Sequence, residues 1–358
     1  MGQKNTLLIG TRKGLVSFRK DENKKWLFDQ AHFLGIPVTM GHVDIQTNTW
    51  WACLDHGHWG CKIHKSLDEG KNWTEVEAPK YDEGEEVKAG VSASLNYLWA
   101  MESAGNKLLI GTEPGGLFSS LDNGASFELI RGLWDHPSRK TQWFGGGKEN
   151  PGIHSIIVNP DDNQHIYIAI SCAGVFETKD GGITWNPKNK GLKADFLPNP
   201  HSEIGQDPHL LVACSSKFNV LWQQNHCGIF RSTDGGENWQ DVSDKSGEAN
   251  FGFAIAADTK NSQMAWVVPA ISDDIRVAVD KSLCVCRTEN GGKSWQTFRK
   301  GLPQREAFDI TYRHALDQDE ETIAFGTTTG NLYISNDHGE TWSTLSNNLP
   351  MVHCIQFV

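Results

Sequence analysis

The 358-residue sequence contains no apolar run approaching 18 residues, which excludes a membrane-spanning helix. Amphipathic helical periodicity is nearly absent, which leaves short strands and turns. None of the eight cysteines stands in a Cys-x-x-Cys pair, so a zinc ribbon or thioredoxin-like motif has no support. Scattered through apolar stretches, they read as free thiols of a reducing compartment. Positive charge is in deficit, with 33 Lys and Arg against 44 Asp and Glu and a formal net charge of -11. That balance argues against nucleic acid and against anionic membranes as partners. The opening residues, MGQKNTLLIGTRKG, lack the apolar core and cleavage site of a secretory signal, so a cytoplasmic location is expected. Length alone would suggest two domains.

What the sequence does have is repetition. The segments 174–185 (GVFETKDGGITW), 228–239 (GIFRSTDGGENW) and 116–127 (GLFSSLDNGASF) share one pattern with 331–342, 62–73 and 284–295. Their common core is Ser/Thr-x-Asp-x-Gly-x-x-Trp, with Asn290 and Phe127 as mild departures. A seventh, eroded copy runs from Gly14 to Trp26 without the hydroxyl–Asp pairing. These residue types suit a tight turn between antiparallel strands. The Asp accepts bonds from backbone N–H groups of its own turn, and the Ser or Thr adds a second polar anchor. The Gly takes a positive φ that other residues resist. The Trp then covers the hairpin and buries a large apolar area. Every part of the motif is a folding device, so no catalytic role is assigned to its aspartates.

The pattern resembles the Asp-box (BNR) repeats of sialidases, sortilin-type receptors, xyloglucanases and photosystem assembly factors. That resemblance implies an all-β propeller fold whose Asp-box turns lie on the face away from any functional site. Closing aromatics fall at 26, 73, 127, 185, 239, 295 and 342, one per blade, giving seven blades of four short strands. The Asp-box turns are expected near 20–26, 66–73, 120–127, 178–185, 232–239, 288–295 and 335–342. A single propeller domain over 1–358 replaces the two-domain prior. Blade 1 opens on Thr6–Gly10, a second strand without an inner one, while residues 351–358 resemble the inner strand of blade 4. The C-terminal segment is therefore expected to close blade 1 and remove two exposed edges.

Function should sit on the loops of the opposite face. Aligning the inner strands places His42, His154, His209 and His353 at one register, which would aim four imidazoles at the channel mouth. A ring of His suits a divalent metal such as zinc, iron or manganese with a position left for water or substrate. The competing explanation is a wet channel filled with polar side chains. The second-to-third-strand loops add His56, His58, His226, Cys172 and Cys227 over blades 2, 4 and 5. His58 or His226 is the candidate general acid or base, and Glu306 a candidate to orient ligand or water. The two cysteines would be nucleophiles only if exposed and activated. The long stretches 128–152 and 186–208 are expected to form a rim.

The first functional expectation is a metal-assisted hydrolase or lyase of a small polar molecule. The alternative is a non-enzymatic scaffold whose upper face binds a protein or peptide. A glycoside hydrolase of sialidase type ranks last, because the blade count is seven and neither an Arg triad nor a Tyr nucleophile can be assigned to the upper face. Asp55, Asp207, Glu306 and Glu149 are acids expected near the channel mouth, without a spacing that singles out a pair.

Overall fold

The computed structural model describes residues 4–358. The expected 1–358 domain span includes three residues outside that range. Seven four-stranded antiparallel sheets follow one another in chain order, and a two-stranded hairpin (Glu86–Lys88 with Val91–Ser92) lies between blades 2 and 3. The seven-bladed propeller expected from the repeat is the fold observed. Its helices are single turns, such as Arg131–Trp134 and Arg139–Gln142. No helix among the described residues is long and apolar enough to cross a membrane.

The repeat builds the blade turns as its chemistry predicts. In blade 4, Thr178 Oγ1 donates to Asp180 Oδ1 at 2.7 Å and accepts from Gly182 N–H at 3.0 Å. Asp180 Oδ1 also takes the Thr184 N–H at 2.9 Å. The same three bonds recur around Asp68, Asp122, Asp234, Asn290 and Asp337. Gly182 has φ +102°, where a side chain would be strained and would also press on Ile130. The eroded copy keeps one element, the Lys25 N–H to Asp21 Oδ1 bond at 2.8 Å.

The closing aromatics explain how blades adhere. Trp185 packs with residues of blades 3 and 4, Trp239 with blades 4 and 5, and Trp342 with blades 6 and 7. Each ring sits between its own sheet and the preceding one, so the apolar core is a series of inter-blade layers. At ~25 cal/mol per Å² and ~200 Å² per indole, one such ring contributes on the order of 5 kcal/mol of gross burial. The ring of blades closes through the strand Val352–Phe357, which pairs antiparallel with Thr6–Thr11 (Leu7 to Phe357, Ile9 to Ile355). Blade 1 thereby gains its innermost strand from the C-terminal segment, as expected.

Candidate functional site

The inner strands carry a repeated irregularity. Their ladders slip between Val38 and Met40, Leu98 and Ala100, Ile153 and Ser155, Pro208 and Leu210, and Gly252 and Ile255. In blade 1 the slip lies between Gly10 and Thr11, whose partners are Cys354 and Val352. The residues left unpaired are Thr39, Trp99, His154, His209, Phe253 with Ala254, and His353. A bulge re-aims its side chain and locally ends pairing. Repeated around the ring, it presents one column of side chains at the head of the channel.

A cavity of about 580 Å³ opens there, lined by Thr39, Trp99, His209, Phe253 and His353 from the bulges. Tyr312, Arg313 and His314 join from the segment before the inner strand of blade 7, and Cys172 and His226 from second-to-third-strand loops. The rim expected from the long loops is present, since residues 144–148, Phe196 and Asp207 also line the cavity. Inner and third strands both run away from this end, so the Asp-box turns, which follow the third strands, lie on the opposite face.

Three of the four aligned histidines occupy the bulge column. His42 does not. Thr39 holds that position in blade 2, and His42 pairs in register with Trp51 three residues further down. Its Nε2 lies 2.9 Å from Ser103 Oγ, beside the groove at the other end of the channel. His154 is fully buried beneath the cavity, edge-on to Trp99 at 5.7 Å, and its carbonyl accepts from His314 Nε2 at 2.6 Å. His353 Nδ1 donates to the Val38 carbonyl at 3.0 Å. The four imidazoles therefore do not converge on one point. Only His209 and His353 of that set line the cavity. His58 is exposed on the short turn Gly57–Trp59, packed on Trp59, and Glu306 is exposed on a loop; neither lines the cavity.

What the structure gathers instead is Asp207, His209 and His226, with one ligand-type atom from each within 4.8 Å of the others. Asp207 Oδ1 accepts the Cys172 N–H at 3.1 Å. Its Oδ2 lies 3.8 Å from His209 Nε2 and 3.6 Å from His226 Nδ1. His209 Nδ1 donates to the Gly252 carbonyl at 2.7 Å, which fixes the tautomer, and the ring stacks on Phe253 at 4.6 Å. Burial pushes its pKa down to about 4, so it is neutral at pH 7. His226 packs edge-on against Phe196 and Phe251. The Cys172 thiol is pushed up by burial and by the Asp207 charge, and the Cys227 thiol by burial, so neither is an activated nucleophile.

The cavity also holds cations and phenols that the sequence did not single out. Arg313 has no hydrogen bond or ion pair from its side chain among the described residues, and its guanidinium sits 5.0 Å over Trp99. Burial pushes its pKa down while the Asp207 charge opposes the shift. Lys148 Nζ lies 3.7 Å over Tyr97. Arg276 is held by the Asp273 carboxylate. Lys148 falls in the 128–152 stretch expected at the rim. Arg276 was missed because it stands in the long loop between strands Ala265–Ala270 and Val285–Thr288, and Arg313 because the residues leading into the inner strand of blade 7 were not aligned with the other blades.

Comparison with known proteins agrees with this architecture. Residues 333–344 match the BNR/Asp-box repeat family model. The Asp-box resemblance read from the sequence is thus borne out. Among curated proteins, the chain is 22% identical over 271 residues to an oligoxyloglucan-reducing-end-specific xyloglucanase of Emericella nidulans. That match covers 66% of this chain but only 31% of the xyloglucanase, so the chain spans about a third of its relative's length. Among solved structures, an ancestral GH74 enzyme aligns at TM-score 0.59 and 19% identity, over 87% of this chain and 38% of that one. The periplasmic gluconolactonase of Pseudomonas aeruginosa aligns at TM-score 0.58 and 12% identity, over 99% of both chains. At these identities the structural likenesses establish the fold.

Proposed function

We propose that this propeller is a hydrolase that cleaves a carbohydrate-derived substrate in the channel-mouth cavity, with a glycosidic bond as the first candidate. The observation that carries the reading is Asp207, held by a backbone N–H and facing two imidazoles inside a cavity walled by aromatic rings. Phe144, Phe196 and Tyr312 offer apolar ring surface to a sugar, while Arg313 and Lys148 offer donors to its oxygens. Asp207 and Asp273 are the carboxylates that line the cavity, and Asp273 is ion-paired with Arg276, which leaves Asp207 as the candidate acid–base group. A water between Asp207 and the imidazoles would pass its proton to that cluster as it attacks, and the cluster would return that proton to the departing oxygen. The unpaired Arg313 would face negative charge that develops on the departing oxygen.

The names of the relatives, a xyloglucanase, a GH74 enzyme and a gluconolactonase, support hydrolysis of sugar-derived bonds. This order reverses the one drawn from sequence, where a glycoside hydrolase ranked last. The test is turnover of xyloglucan oligosaccharides, aryl glycosides and gluconolactone, followed by Asp207→Asn. Loss of about 10²- to 10⁴-fold in kcat with sugar binding retained is the expected result. No turnover of any of these by a protein that binds peptides on this face would replace the hydrolase with a scaffold.

A further inference from the structure

We infer that Asp207, His209 and His226 form a binding site for one divalent transition-metal ion, zinc being the best-matched, with an open position facing the cavity. One ligand atom from each of the three residues lies within 4.8 Å of the others, and Asp207 Oδ2 lies 3.8 Å from His209 Nε2 and 3.6 Å from His226 Nδ1. Those separations are too long for hydrogen bonds. They exceed by only a few tenths of an ångström the ~3.3 Å between neighbouring ligands of a tetrahedral ion with bonds of ~2.0–2.1 Å. Small side-chain rotations would close the difference. The donor set, two imidazoles and a carboxylate, is one that leaves zinc a fourth position for water.

The surroundings support the same conclusion. A metal-bound imidazole characteristically donates its second ring N–H to a carbonyl or carboxylate, and His209 Nδ1 does so to Gly252. The second oxygen of Asp207 is held in turn by Cys172 N–H. Phe196, Phe251 and Phe253 pack against the two imidazoles, and all three metal-ligand candidates line the cavity, which opens to solvent. The other channel histidines lack this convergence, since His42, His314 and His353 are each bonded to groups of their own. Arg313 faces the same cavity and opposes a bare cation. It favours instead an ion whose fourth ligand is anionic, such as hydroxide or a substrate oxygen.

The site can be tested apart from turnover. Protein made without a histidine tag and stripped with chelator would be titrated with Zn²⁺ by calorimetry and with Co²⁺ by visible absorption. One ion per chain is expected, with the intense d–d bands of four-coordinate cobalt. Asp207→Asn and His226→Ala should each weaken binding by roughly 100-fold, while His42→Ala leaves it unchanged. His226 lies on a loop, so that variant is expected to fold, which its melting curve would verify. Absence of stoichiometric binding, or binding unaltered in both variants, overturns the site. Metal bound without turnover would uphold the site and sink the hydrolase; turnover by a protein that binds no metal in the titration would do the reverse.

Discussion

A half-buried histidine beside a cation makes a protein sensitive to acid, and His314, in the cavity wall, is placed that way. Its Nε2–H donates to the His154 carbonyl, and burial, followed by the neighbouring Arg313 charge, brings its pKa from 6.5 down to about 4. Because the folded value lies below the unfolded one, the stabilisation is present above about pH 6.5 and is lost as pH falls towards 4. It is worth on the order of 3 kcal/mol. His314→Gln retains a donor for the carbonyl but cannot titrate. Urea midpoints measured from pH 7 to pH 4 should therefore fall less steeply in the variant, and parallel slopes would contradict the assignment. At this scale the sequence was half legible. His154, His209 and His353 could be aligned because their flanking strands are alike. His42 could not, because the bulge that defines the column is a property of strand pairing and leaves no mark on residue type.

For the blade, the informative element is the Asp-box turn. Thr178 is fully buried and anchors both Asp180 and the Gly182 N–H. Thr178→Val preserves shape and removes both bonds, leaving a buried N–H without its acceptor. A loss of about 1–3 kcal/mol in chemical denaturation is expected. Ligand binding at the cavity should not change, since the turn lies at the far end of the blade. A variant as stable as the parent would show that water replaces the hydroxyl. Such elements were readable in advance because their chemistry is local: hydroxyl, carboxylate, glycine and indole act within eight residues. Asp207 was expected at the channel mouth and Lys148 within a rim stretch, but their sharing a cavity with Arg313 was not readable, because that meeting depends on how separate blades are arranged around the channel. Residue types at a distance of a hundred positions carry no spacing signal for such a meeting.

At the scale of the whole molecule, the pairing of Val352–Phe357 with Thr6–Thr11 holds blade 1 to both of its neighbours. Ending the chain at Pro350 would expose the ladder of Thr6–Thr11 and uncover Leu7, Ile9 and Val16. Such a protein is expected to lose its single cooperative melting transition and to self-associate, as light scattering and calorimetry would show. A truncated protein that stays monomeric and melts in one step would mean that six blades hold the arc on their own.

The same strand sets a timetable. His353, one wall of the cavity, is delivered by residues made some 340 positions after the strand they must find, so ring closure is the longest-range strand pairing in the fold, the kind of contact that costs most loop entropy to form. A nascent chain on the ribosome can complete blades 2 to 6 one at a time. The pocket itself is born only after translation has passed residue 357.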